Sequence, residues 1–153
     1  MATFSLFECG PSGGASGDPF RDLPAAGVTV TKIRVTSGRN TSVVGHPRLL
    51  NSIQLTYNDH SHTDRHGQDH GTPQNIDLAG QEYIVEVSGK YGDFIDQFNI
   101  RTSGDRNFGP FGGDGGRIEF RYHVPDGMAI IGFFGSSGAC VDALGILYRP
   151  ILG

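Results

Sequence analysis

Gly138-Ala139-Cys140-Val141-Asp142-Ala143-Leu144-Gly145-Ile146 and Gly92-Asp93-Phe94-Ile95-Asp96-Gln97-Phe98-Asn99-Ile100 carry the same punctuation. Each opens on Gly, places Asp at the fifth position, and continues into an apolar run of strand character. Pro47-Arg48-Leu49-Leu50-Asn51-Ser52-Ile53-Gln54-Leu55 is a third, altered copy, with Pro for Gly and Asn for Asp. A second loop type repeats beside the first. Gly10-Pro11-Ser12-Gly13-Gly14-Ala15-Ser16-Gly17 matches Gly109-Pro110-Phe111-Gly112-Gly113-Asp114-Gly115-Gly116, and Gly67-Gln68-Asp69-His70-Gly71 is a weaker middle copy. Three units of about fifty residues, each with two hairpins, predict an all-β body with pseudo-threefold symmetry. Turn chemistry alone leaves a plainer reading open, in which both loop types are only hairpin turns.

The rest of the chain agrees with an all-β reading. Val28–Val35, Ser52–Tyr57, Tyr83–Val87 and Ile118–Tyr122 alternate with period two, as half-buried strands do. Ile130–Phe134 is more continuous and reads as a buried strand, and Ala143–Tyr148 closes the chain. About ten to twelve short strands are expected. Glycine, at 24 of 153 residues, is roughly double its average usage of about 7%. The glycines fall between apolar runs, which is the pattern of a sheet protein with many tight turns.

A chain of 153 residues fits one domain with one core, here taken as residues 1–153. The net charge of -4, with the arginines scattered, argues against a nucleic-acid partner. No stretch approaches the ~18 apolar residues of a membrane span, so no membrane insertion is expected. Residues 1–14 lack a basic start and a long apolar run, so no signal peptide is read; a cytoplasmic chain and a mature secreted one look alike. Cys9 and Cys140 form no Cys-x-x-Cys pair, which makes a thiolate zinc site unexpected. Two free thiols and one bridge, within or between chains, both remain open.

At its two loop types, and at Gly132-Phe133-Phe134-Gly135 before Gly138-x-x-x-Asp142-Ala143-Leu144-Gly145, the sequence resembles the jacalin-related lectin family. The resemblance runs from about Cys9 to Pro150. It implies a β-prism of three four-stranded Greek-key sheets and binding of carbohydrate without catalysis, cofactor or metal. A hexose presents hydroxyls that each donate and accept. A carboxylate accepts two of them, backbone N–H groups supply donors, and glycine lets the backbone approach closely.

Carried over position by position, the resemblance assigns a primary site to Gly138, Ala139, Cys140 and Asp142 with Gly17 from the first loop. Asp142 accepts the hydroxyls on C4 and C6. The Ala139 and Cys140 N–H groups donate to the C6 hydroxyl and the ring oxygen, and the Gly17 N–H donates to the C3 hydroxyl. A second site combines Asp93, Phe94 and Asp96 with Gly116, while Pro47, Asn51 and His70 leave the middle copy inactive. Ala139 and Cys140 lack the aromatic that members often carry after the loop glycine, whereas Phe94 retains one. Galactose-preferring members resemble a cleaved form with a free glycine amine at the site. Here residues 1–16 run uncut into Gly17, so mannose or glucose is expected, with galactose as the alternative. Weak single-site affinity calls for multivalent glycans, and a homo- or hetero-dimer is expected on that ground.

Other features compete for a function. Residues 58–70 hold His60, His62, His66 and His70 with Asp59, Asp64 and Asp69. This segment reads as a metal- or mineral-binding loop of a structural or matrix protein, as a solvated hairpin, or as a pH-sensitive surface. Asp93, Asp96 and Asp142 resemble a glycosidase acid pair only superficially, because Asp96 and Asp142 belong to separate copies. No Ser-His-Asp or Cys-His arrangement is visible and nothing marks a base beside Cys140, so no enzyme is expected. Asn40-Thr41-Ser42 is an N-glycosylation sequon, meaningful only in a secreted chain.

Overall fold

The computed structural model describes residues 5–151, which form twelve strands and no helix. In chain order these are β1 (Phe7–Gly13), β2 (Asp18–Arg21), β3 (Val30–Arg39), β4 (Arg48–Tyr57), β5 (His66–Gly67), β6 (Thr72–Asp77), β7 (Ile84–Tyr91), β8 (Ile95–Thr102), β9 (Asn107–Gly112), β10 (Ile118–His123), β11 (Met128–Ser137) and β12 (Val141–Pro150). The alternating runs of the sequence all fall in strands, but pairing moves their ends. The run expected from Val28 begins as β3 at Val30 and continues to Arg39, where it stays paired with β4.

Antiparallel pairing gives three four-stranded sheets, ordered β2-β11-β12-β1, β6-β3-β4-β5 and β10-β7-β8-β9. The first and third touch through one register pair, Ile130 with Ile84. In each sheet a central hairpin is flanked on its two edges by a further pair of consecutive strands, one on each side, which is the Greek-key arrangement of a β-prism. The first sheet is completed from the start of the chain, where β1 and β2 flank the β11-β12 hairpin.

The threefold repeat extends to irregularities. Register shifts occur between Ser136 and Ser137, between Lys90 and Tyr91, and between Thr36 and Ser37, each just before a central hairpin loop. A bulge adds twist and re-aims the strand beyond it. Here the extra residue lies each time on the strand after the loop, and it is Asp142, Asp96 or Asn51. The loops themselves differ. Residues 138–140 and 92–94 close tightly, while the third runs from 40 to 47.

All three sheets send side chains into one core: Val35, Ile53 and Leu55 from the second, Val87, Phe98 and Ile100 from the third, Phe133, Leu144 and Ile146 from the first. Phe98 and Phe133, both fully buried, meet edge to face with ring centroids 6.3 Å apart. Polar ties cross between sheets as well. Tyr57 Oη donates to Ile131 O at 2.7 Å. His66 Nε2 lies 2.7 Å from Asp22 Oδ1 with its ring stacked on Phe20, and Phe133 N–H donates to Asp22 Oδ2 at 3.1 Å.

Truncation of either core ring removes apolar burial and leaves a cavity, so Phe98→Ala and Phe133→Ala each lose about 3–5 kcal/mol in chemical denaturation. Their losses add to more than that of the double variant, because the contact between the rings is counted in both single changes.

Candidate functional site

The two loop types paired from the sequence meet in space, in all three copies. A Cβ on Gly13 would fall 2.3 Å from Asp142 O, one on Gly112 2.1 Å from Asp96 O, and one on Gly67 2.0 Å from Asn51 O. The N–H of the next residue bonds the same carbonyl each time: Gly14 to Asp142 at 3.0 Å, Gly113 to Asp96 at 2.7 Å, Gln68 to Asn51 at 3.0 Å. Only glycine allows strand backbones this close, so the first residue of each pair is dictated by sterics.

In the first copy the side chain of Asp142 is 4% exposed, and its Oδ1 has no hydrogen-bond partner among the described residues. Gly17, at φ +90°, places its backbone so that a Cβ would lie 2.8 Å from that oxygen, and Gly138 frames it from further off, at 4.0 Å by the same measure. A buried acceptor without a donor costs about 1–3 kcal/mol, so such an atom is rare outside functional sites. Burial pushes the Asp142 carboxyl up to about 6. The loop turns by a bond from Gly138 N–H to Cys140 O at 2.9 Å, which leaves the Ala139 and Cys140 N–H groups without a protein acceptor among the described residues. Gly17, Gly138, Ala139, Cys140 and Asp142, grouped by the family resemblance, therefore lie together. The Cys140 side chain itself is buried, and burial, with the Asp142 and Asp96 charges adding, pushes its thiol up to about 12. It stays protonated and is no nucleophile at neutral pH.

The second copy is more open. Asp96 is half-buried; burial raises its carboxyl, the charge of Asp93 adds to the rise and the Gly92 N–H opposes it. Phe94 is half-buried, Asp93 is exposed, and Gly92 N–H donates to Phe94 O at 3.1 Å in the counterpart of the Gly138 turn. Gly116 packs where Gly17 does, against the strand before the loop, with a Cβ position 2.7 Å from Tyr91 N. Of the two facing-loop glycines it is Gly115 whose Cβ position falls beside the carboxylate, 3.0 Å from Asp96 Oδ2. The sequence reading passed over Gly115, although the doubled Gly115-Gly116 was its signal. The two copies adjoin, since Gly14 abuts the Asp93 carbonyl.

The third copy is closed by the protein's own hydrogen bonds. Asn51, fully buried, donates from Nδ2 to Gly38 O at 3.3 Å and His70 O at 3.1 Å, and its Oδ1 accepts from Asn40 Nδ2 at 3.0 Å. Asn40 of the sequon is also fully buried, so the folded chain presents no free amide there.

The histidine-rich segment does not converge. His66 faces Asp22 in the interior, His62 Nδ1 lies near Gln54 Nε2, His70 Nε2 near Gln68 Oε1, and His60 occupies an exposed turn at φ 70°. Among the described residues no group of three or more His, Cys, Asp or Glu is placed to hold a metal ion. Cys9 and Cys140 are both free thiols, with Cys9 beside the Tyr148 hydroxyl.

The jacalin-like lectin domain matches residues 9–147. Horcolin from Hordeum vulgare is 32% identical over 94% of this chain and 97% of its own length. A mannose/glucose-specific lectin from Parkia pendula is 26% identical over 95% of this chain, which spans 32% of that protein. Among solved structures, Malaysian banana lectin superimposes with a TM-score of 0.80 at 25% identity, over 96% of this chain and 100% of that one. The chain belongs to the family of jacalin-like lectin domains, which are carbohydrate-binding proteins and not enzymes.

Proposed function

We propose that the chain, acting as one lectin domain over residues 1–153, binds mannose- or glucose-type hexoses at two sites and needs no metal to do so. The observation that carries the reading is the buried, unpartnered Asp142 Oδ1 between Gly17 and Gly138. A sugar hydroxyl supplies the missing donor, and the N–H groups of Ala139, Cys140 and Gly17 supply the donors that a carboxylate cannot. Asp96, with Asp93 and Phe94 on one side and Gly116 and Gly115 on the other, forms the second site. Recognition is by hydrogen bonds alone, so chelator leaves it intact.

The preference for mannose or glucose rests on two supports. The chain continues unbroken through Ser16 into Gly17, which offers a peptide N–H and not a charged amine. The Parkia pendula relative is named a mannose/glucose-specific lectin. Single-site affinity is on the order of 1 mM, about -4 kcal/mol. Two adjoining sites, doubled in a dimer, convert that into useful avidity for branched glycans.

Calorimetric titration with methyl-α-mannoside in EDTA, beside methyl-α-galactoside, yields two mannoside sites per chain; Asp142→Asn removes one and Asp96→Asn the other. Galactoside binding in place of mannoside would overturn the specificity and keep the sites.

Acidity separates the Asp142 site from a fold effect. Its carboxyl is raised to about 6, so the charged acceptor exists above that pH and is lost below it. In the Asp96→Asn chain, mannoside affinity falls as pH drops from 7 through 6 to 5.

Stability moves the other way. A carboxyl raised above its unfolded value of about 3.9 destabilises the fold above pH 6, and this cost fades as pH falls toward 4. Asp142→Asn abolishes primary-site binding yet raises stability at pH 8 by about 1 kcal/mol, allowing for solvent screening at the site mouth. Urea denaturation at pH 8 and pH 4 checks this.

A further inference from the structure

Asn40 sits at the foot of the 40–47 loop in the second sheet, 99 residues from Ala139, and is fully buried. Its two Nδ2 hydrogens are both used, one on Ala139 O at 2.8 Å and one on Asn51 Oδ1 at 3.0 Å. Its Oδ1 accepts the Ser42 N–H at 3.0 Å, and its backbone N–H closes the loop on Pro47 O at 2.8 Å. The amide can point only one way. Exchanging its oxygen and nitrogen would set oxygen against oxygen at both Ala139 and Asn51. Asn51 is itself anchored on the backbone of Gly38 and His70. The inactive third copy therefore grips the loop of the first.

What it grips matters for the primary site. Ala139 O and the Cys140 N–H belong to one planar peptide unit and point in opposite directions. Fixing the carbonyl from the side of the second sheet aims the Cys140 N–H away from that sheet, and a hydrogen bond on the carbonyl strengthens the N–H as a donor. In the second copy the counterpart of Ala139 is Asp93, whose carbonyl is packed against Gly14 and is held by no side-chain amide among the described residues.

We propose that Asn40 is a positioning residue for the Asp142 site alone, acting through the Ala139–Cys140 peptide, and that the altered third copy has become a brace for the first. The inference rests on the two-site reading above. Asn40→Asp tests it, since the change keeps the oxygen that accepts the Ser42 N–H, removes both donors and sets an acceptor oxygen against Ala139 O and Asn51 Oδ1.

In an Asp96→Asn background, which leaves the primary site, Asn40→Asp weakens methyl-α-mannoside binding about tenfold. In an Asp142→Asn background, which leaves the second site, it changes nothing. Asn40→Ser, a smaller and uncharged change, reproduces the split if Asn40→Asp lowers the melting temperature too far to titrate. In amide NMR spectra the Cys140 N–H shifts in the variant and the Phe94 N–H does not. Equal weakening in both backgrounds would mean a general loss of structure, and no weakening in either would mean that Asn40 only packs the loop; both overturn the proposal. If mannoside binding ignored Asp142→Asn in the otherwise wild-type chain, the site itself would be refuted and the brace with it.

Discussion

The close approach of a glycine strand to the carbonyl after each central hairpin loop is the contact on which the rest of this molecule depends. Gly13, Gly112 and Gly67 each leave room for the carbonyl of Asp142, Asp96 or Asn51, and the following N–H closes on it. Two loops distant in sequence are thereby locked side by side three times at one end of the prism. The first lock joins the two ends of the chain, since β1 reaches it from the start and β12 from the finish. A side chain at any of these glycines would push the strands apart and separate Asp142, Asp96 or Asn51 from its facing loop.

Within this frame one position has taken two opposite courses. Asn51 satisfies its side chain with Gly38, His70 and Asn40, and stabilises the fold. Asp142, at the matching point of the first copy, is buried with one oxygen unpaired and a carboxyl raised to about 6. The second arrangement is the less stable and leaves an acceptor open to a donor from outside the fold. Asp96 lies between these cases, half-buried and flanked by an exposed Asp93.

Much of this was legible in the sequence because it is written in local spacing. Glycine at fixed distances from Asp142 and Asp96, followed by alternating apolar residues, marked the three units and their strands, while the resemblance to jacalin-related lectins supplied the three-sheet prism and the pairing of Gly17 with Asp142 and of Gly116 with Asp96. Less legible were partnerships with no spacing to reveal them. Asn40 read only as part of a sequon, yet it ends beneath Ala139. The histidine-rich run read as one feature, but strand pairing of β5 turns His66 inward to Asp22 and leaves its neighbours apart. Gly115 was hidden by its position: matching the two loops selects Gly116 as the counterpart of Gly17, while the Cβ position beside the second carboxylate belongs to the residue before it. Side-chain orientation, set by packing across sheets, decides all three.

The central claim is that the unpartnered oxygen of Asp142 is where a hexose docks. A crystal structure of the chain with methyl-α-mannoside in chelator tests it most directly. The account predicts a sugar hydroxyl within hydrogen-bonding distance of Asp142 Oδ1, with the Ala139, Cys140 and Gly17 N–H groups on neighbouring sugar oxygens. A mannoside bound elsewhere on the prism, with Asp142 Oδ1 still unpartnered, would contradict it.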